Sequence, residues 1–187
     1  MATMNSAPPR VSFADVERWP EDGRRYELYG GEVYVVPFPL PLHQIALMRL
    51  YDAFRDHTRT HGGIVLVAPL DIVLTEFDVV QPDLLYFTPE RRHLVQPRRV
   101  TRDAPDLVVE ILSPGTARHD RGRKMALLGR FAVREVWLVD PDAVTIEIFH
   151  LQNDRYALAS RTTGDEPVRS PLVPAIQVTP NDVARIS

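Results

Sequence analysis

Two carboxylates sit in apolar runs where a strand would ordinarily carry hydrocarbon. Glu110 interrupts Leu107-Val108-Val109-Glu110-Ile111-Leu112, and Asp83 interrupts Val79-Val80-Gln81-Pro82-Asp83-Leu84-Leu85-Tyr86-Phe87. A carboxylate in such surroundings is costly unless it is paired, protonated or bound to a cation. For Glu110 two readings stay open: a site acid, or a structural acid that reaches water or an ion-pair partner, because Ser113-Pro114-Gly115 ends the strand soon after. Sites in α/β folds gather at such carboxyl ends of strands. Asp83 beside Pro82 reads as a bulge or sheet edge, or as an ordinary turn dipeptide. On adjacent strands the two acids would form an oxygen-rich pocket suited to Mg2+ or Mn2+. Lys124 follows Glu110 by fourteen residues, in the helix expected after that strand. Helical side chains lean toward the helix N-terminus, so this lysine can reach back over the carboxylates. The alternative is a solvated surface lysine, the usual fate of the type.

The expected elements place these groups. Ser12 can cap a short helix over residues 13–19, and residues 26–28 and 33–36 flank Gly30-Gly31 as a hairpin. Pro37, Pro39 and Pro41 stop the sheet, and apolar spacing over 42–60 predicts the first long helix, ended by Gly62-Gly63. Strands follow over 64–67, 70–75 and 79–87, then a basic loop over 88–105. The near-continuous run 107–112 suits a strand covered on both faces. A second helix runs to about Phe131, a strand covers 136–139, and 144–150 with 155–160 form a hairpin around Asn153. The tail from Pro171 to Ser187 reads as a short strand and loop, and residues 1–10 as unstructured, leaving 11–187 as a single domain. The order predicts an α/β or α+β fold with a mixed sheet flanked by helices and a right-handed crossover over 107–139.

Composition narrows the function classes. The chain has 187 residues, 44% hydrophobic and 25% charged, with no cysteine, which excludes thiolate metal sites and cysteine nucleophiles. The N-terminus has no apolar signal core and no apolar run nears bilayer length, so a soluble cytoplasmic protein with no membrane partner is expected. The net charge of −3 gives no global support for nucleic acid, but residues 91–134 hold eleven basic residues against four acids, +7 net. That stretch is either the footprint of an anionic partner or a set of solvated faces. His57 and His61 have the spacing of a helical metal pair without an evident third ligand, and read as surface residues. Asp71, in Leu70-Asp71-Ile72, is a weak candidate for a polar site contact, and Trp137 reads as core. No phosphate-binding glycine loop and no serine nucleophile elbow is present.

Pro82-Asp83 followed by Glu110-Ile111-Leu112 resembles the two-part signature of the PD-(D/E)XK nuclease superfamily. The longer phrases are closer to its bacterial restriction-endonuclease-like branch of the Uma-two type. They are Arg25-Tyr26-Glu27-Leu28 with Gly31-Glu32, His43-Gln44, Val80 to Leu85, Ala104 to Pro114, Lys124, and Glu135 to Pro141. The resemblance covers roughly residues 12–160. It implies a restriction-endonuclease-like core with an added C-terminal β-hairpin, and Mg2+ (or Mn2+) held by Asp83 and Glu110. It implies metal-assisted hydrolysis of DNA phosphodiesters, double-stranded DNA as partner, and Lys124 orienting the nucleophile or sharing developing charge. The superfamily lysine normally falls two residues after the acid, where this chain has Leu112; the branch carries it in the following helix, at Lys124. Glu27 and His43 also match the branch. Glu27 would complete the metal shell or orient a water, and His43 would bind phosphate, move a proton, or be structural. A non-catalytic nuclease-fold scaffold and a hydrolase of RNA or a nucleotide are the competing functions, and homodimerisation is left open.

Overall fold

In the computed structural model, which describes residues 9–185, the central strand β7 (Leu107–Ile111) is buried along its whole length. Leu107, Val109 and Ile111 enter one core layer and Val108 the other, as the two-residue period of a strand requires. Around it lies a six-stranded sheet in the order β10-β9-β8-β7-β6-β3. Its members are β3 (Ile64–Val67), β6 (Leu84–Phe87), β7, β8 (Glu135–Asp140), β9 (Thr145–Gln152) and β10 (Arg155–Thr163). β7 and β8 are parallel, and the other neighbours are antiparallel. The expected crossover therefore links β7 to β8, and the C-terminal hairpin extends the sheet from β8.

Helix α2 (Pro41–His61) covers one face through Ala46, Leu47, Leu50 and Phe54, together with Val183 of α5 (Pro180–Ala184). Pro41 opens α2, where its missing N–H costs nothing. Gly62 closes it at φ 78°. At Gly63 (φ 87°) a Cβ would meet the Tyr86 ring at 2.6 Å, so only glycine lets the chain turn back against β6. The opposite face packs on Met125, Leu127 and Leu128 of α4 (Met125–Arg130). Trp137 is fully buried, as expected of core, with its ring 5.4 Å from that of Phe54. Among the described residues no helix is long and apolar enough to cross a membrane.

A second, four-stranded sheet, β2-β1-β5-β4, stands beside the first. It comprises β1 (Arg25–Tyr29), β2 (Glu32–Val36), β4 (Ile72–Thr75) and β5 (Asp78–Val80). Phe13 of α1 (Phe13–Val16) packs on Leu28, Val73 and Val79 from this sheet.

The structure departs from expectation in several places, the first being two sheets where one mixed sheet was expected. Residues 79–87 form two strands in different sheets, because Pro82 has no N–H to continue a ladder. The first helix stops at Val16 rather than Trp19. The tail forms α5 instead of a strand: Thr179 and Asp182 make reciprocal capping bonds and Pro180 fills the first turn. Of the segment expected to be unstructured, residues 1–8 lie outside the described residues. Arg10 is held, donating from Nε to Gly30 O at 2.8 Å with its guanidinium 3.9 Å from the centre of the Phe77 ring.

Candidate active site

β6 and β7 pair antiparallel with Leu84 opposite Val109, so Asp83, one residue before β6, comes level with Glu110. Asp83 Oδ2 accepts the Ile111 N–H at 2.8 Å, which fixes it at the end of β7. Glu110 lies on the same strand parity as Val108 and Leu112, the face covered by the crossover helix. That helix begins as α3 (Ala117–His119), opens into one π-helical turn over Asp120–Lys124, and resumes as α4. Asp120 and Lys124 are the buried residues of the π turn, an irregularity that recurs at functional sites.

Lys124 reaches back as its helical direction requires. Its Nζ donates to Glu110 Oε2 at 2.9 Å, lies 2.9 Å from Glu110 Oε1 and 2.9 Å from Glu27 Oε1, and donates to Gln81 O at 3.4 Å. Glu27 arrives from β1 of the smaller sheet. It accepts the Gln81 N–H at 2.8 Å and the Tyr29 hydroxyl at 2.6 Å. His119 Nε2 lies 2.7 Å from the Tyr29 hydroxyl, and its ring stacks on Tyr34 at 3.8 Å. His43, in the first turn of α2, approaches Asp83 Oδ2 through Nε2 at 3.2 Å, while its Nδ1 is buried without a hydrogen bond.

The electrostatics follow from burial and an unequal charge count. Burial would raise the Glu27 carboxyl, but the Lys124 ammonium and the bonds from His119, Tyr29 and Gln81 hold it far below the usual range. For Glu110 burial wins: its carboxyl is pushed well above the ordinary value despite Lys124, with Asp83, Asp120 and Glu27 adding to the shift. Asp120 is raised by burial, against Lys124 and a bond from Thr116. Burial disfavours the Lys124 ammonium, but Glu110, Glu27, Asp120 and Asp83 outweigh it and keep the lysine charged. Four buried acids thus surround one buried lysine, and Glu110 Oε1 has an ammonium beside it but no hydrogen bond.

The five residues singled out from the sequence, Glu27, His43, Asp83, Glu110 and Lys124, line one cavity of about 280 Å3. Sequence reasoning missed Asp120, whose four-residue offset from Lys124 was the available signal. It also missed the Tyr29–His119 pair, whose partners are 90 positions apart and leave no local trace. Asp71 is not in this cavity; it accepts from Gln81 Nε2 at 2.6 Å beside a second cavity of about 450 Å3. His57 and His61 are elsewhere, stacked 4.6 Å apart, and His57 is buried rather than on the surface. The basic stretch is largely spent on internal pairing. Arg91 and Arg134 contact Asp106, Arg102 contacts Glu76, Arg121 contacts Glu147, and Arg123 contacts Glu32. Arg92, Arg98, Arg99, Arg118 and Arg130 form no ion pair among the described residues.

Among the described residues no three His, Asp or Glu side chains converge as a ready metal cage. The donor set still fits Mg2+, which is commonly held by one or two carboxylates while keeping several waters. Asp83 and Glu110 are the carboxylates that could hold such an ion, with Glu110 Oε1 buried and without a hydrogen bond.

The model of the Uma2 family, described as "Putative restriction endonuclease", matches residues 13–181. The chain belongs to the Uma2 family. A relative, the uncharacterized protein slr1290 of Synechocystis, is 28% identical over 155 residues, covering 80% of this chain and 79% of that protein. The fold is shared with a crystal structure from Anabaena variabilis described as "a putative nuclease belonging to DUF820". The two superpose with a TM-score of 0.77 at 18% identity, over 93% of this chain and 97% of the other. The position two residues after Glu110 holds a leucine, and the lysine of this pocket comes from the crossover helix. That leucine, Leu112, is buried in the core.

Proposed function

We propose that this Uma2 protein is a Mg2+-dependent endonuclease that hydrolyses phosphodiester bonds of DNA in the cytoplasm. The observation that carries this reading is Lys124, buried between Glu27 and Glu110 while Glu110 Oε1 lacks a hydrogen bond. Asp83 and Glu110 would hold Mg2+ (or Mn2+), which when bound lowers the pKa of a water and balances charge on phosphoryl oxygens. Asp83 is oriented by the Ile111 N–H and His43, so its carboxylate is preset. Glu27 keeps Lys124 charged and in place, and the ammonium offers a fixed positive group to charge developing at the phosphate. With all its bonds to Lys124, Gln81 and Tyr29 made, Glu27 acts as the lysine's anchor. A decayed scaffold would have no need of four buried acids and a buried lysine, whose desolvation is costly.

The test is nicking of supercoiled plasmid with Mg2+, Mn2+ or chelator. Wild type is expected to nick only with metal, and Glu110→Ala to fall to background while keeping its circular dichroism spectrum. Wild type inert in both metals, or Glu110→Ala as active as wild type, rejects the reading.

A further inference from the structure

Between β2 and α2 the chain reads Pro37-Phe38-Pro39-Leu40-Pro41. Three prolines fix φ at alternate positions, so the segment is ordered in advance. Arg25 Nη2 ties it to the sheet by donating to Pro37 O at 3.1 Å. Phe38 is 74% exposed and Leu40 66%, the highest values among the described large apolar side chains. Covering such a side chain is favourable, so an uncovered phenyl ring on a stiff segment suits a transient ligand. Its position shows which kind. Phe38 and Leu40 form the rim of the cavity whose other walls carry Asp83, Glu110 and Lys124. The recess is charged in its depth, and Phe38 and Leu40 give its exposed part an apolar flank. A nucleotide has the same division, with a phosphate at one end and a flat apolar base at the other.

We propose that Phe38 is the stacking platform for a nucleobase next to the phosphate at the acid cluster, so that the site takes DNA whose strand is unpaired at that point. This rests on the nuclease reading and narrows its substrate. In an intact duplex both faces of each base are covered by its neighbours, and no base is free to meet a ring at the cavity mouth. In a single strand or an unpaired bubble the face is available, and aromatic stacking is worth about 1–3 kcal/mol per base with little sequence preference. Leu40, two residues on and exposed in the same cavity, adds apolar contact.

The experiment measures anisotropy of labelled DNA in Ca2+ for wild type, Phe38→Ala and Phe38→Trp. The probes are a short single strand, the matching duplex, and that duplex with an internal bubble. Phe38→Ala is expected to lose roughly 5- to 140-fold in affinity for the single strand and the bubble, with the intact duplex changed by less than about twofold. Phe38→Trp should restore binding, because a larger ring keeps the stacking face. Equal affinities for wild type and Phe38→Ala, equal weakening on all three probes, or a wild type that binds none of them each overturn the inference. A wild-type dimer that Phe38→Ala converts to monomer, read by light scattering, overturns it too, since a second copy would then be what covers the rim. The nuclease reading is scored separately by plasmid nicking. Nicking that persists in Phe38→Ala with unchanged strand preference removes the platform and leaves the nuclease. A Phe38-dependent strand preference in a wild type that never nicks leaves the platform and removes the nuclease.

Discussion

Asp106 and Glu110 are buried carboxylates at opposite ends of one strand, and their surroundings differ in kind. Asp106 precedes β7 and is fully buried. It accepts the Thr88 N–H at 2.9 Å, Arg91 Nη1 at 3.1 Å and Arg134 Nη1 at 3.4 Å. Two guanidiniums serve one acid there. Around Glu110 the ratio is reversed: one ammonium serves Glu110 and Glu27, with Asp83 and Asp120 close by. Burial is common to both ends and so does not identify a site. What differs between the two ends is the balance of charge. An acid whose bonds are all made contributes to the fold, while a cluster short of positive charge holds a capacity that an added cation can use.

The largest effect expected from this contrast is at the structural end. Asp106→Ala should cost about 3 kcal/mol in urea denaturation, because it leaves the buried Thr88 N–H unpaired and removes charge-assisted bonds. The arginine side chains are 36% and 58% exposed and can return to water, which keeps the cost from being larger. Mg2+ should not repair the loss. A cost below about 1 kcal/mol would show that Asp106 is not the structural member of the pair.

The intermediate effect is at the site, with the opposite sign. Burial raises the Glu110 carboxyl above its ordinary 4.5, so the folded chain binds that proton more tightly than the unfolded chain does. The stability this confers is complete below about pH 4.5 and is lost as pH rises through the raised value. Glu110→Gln has no such loss, so without metal its advantage over wild type should grow from that pH toward neutrality. Mg2+ should then stabilise wild type alone, by about 1.4 kcal/mol at tenfold over its Kd. Thermal melts across pH, with and without Mg2+, read both effects. A variant far less stable than wild type at neutral pH without metal would make Glu110 a structural ion-pair partner like Asp106.

Much of this site was legible in the sequence because its chemistry contradicts its local pattern. Asp83 and Glu110 stand out as acids in apolar runs, and Lys124 is placed by the direction in which helical side chains lean. Long-range pairing was not legible. Periodicity marks residues 79–87 as strand but cannot assign Val80 and Leu84 to different sheets. The Glu27–Tyr29–His119 chain joins a hairpin to a helix across the fold. Asp106 shows the converse failure. It lies within the arginine-rich stretch, and nothing local marks that Arg91 and Arg134 pair with it. The helix at Pro180 has its signal in the Thr179 to Asp182 spacing, which a short segment with several prolines obscures.

The smallest effect on stability, and the sharpest test of what the bases are for, is at Arg98 and Arg99. Arg91 and Arg134 are committed to Asp106, whereas Arg98 and Arg99 are exposed and form no ion pair among the described residues. Reversing both to glutamate should therefore move the melting temperature little, by the equivalent of about 0.5 kcal/mol or less. The change should appear in DNA binding instead. Each neutralised phosphate releases counterions, so affinity falls with salt at a slope set by the number of contacts. Losing two contacts should flatten the slope of log K against log salt by roughly 2 and weaken all sequences alike, because phosphate contacts carry no sequence code. Anisotropy titrations of a labelled duplex in Ca2+ over a range of salt give both quantities. The opposing expectation is that the acidic remainder of the chain dominates and the two arginines only lower its repulsion. Equal affinity for wild type and the double reversal at low salt would bear that out, and would remove Arg98 and Arg99 from the proposed DNA contacts.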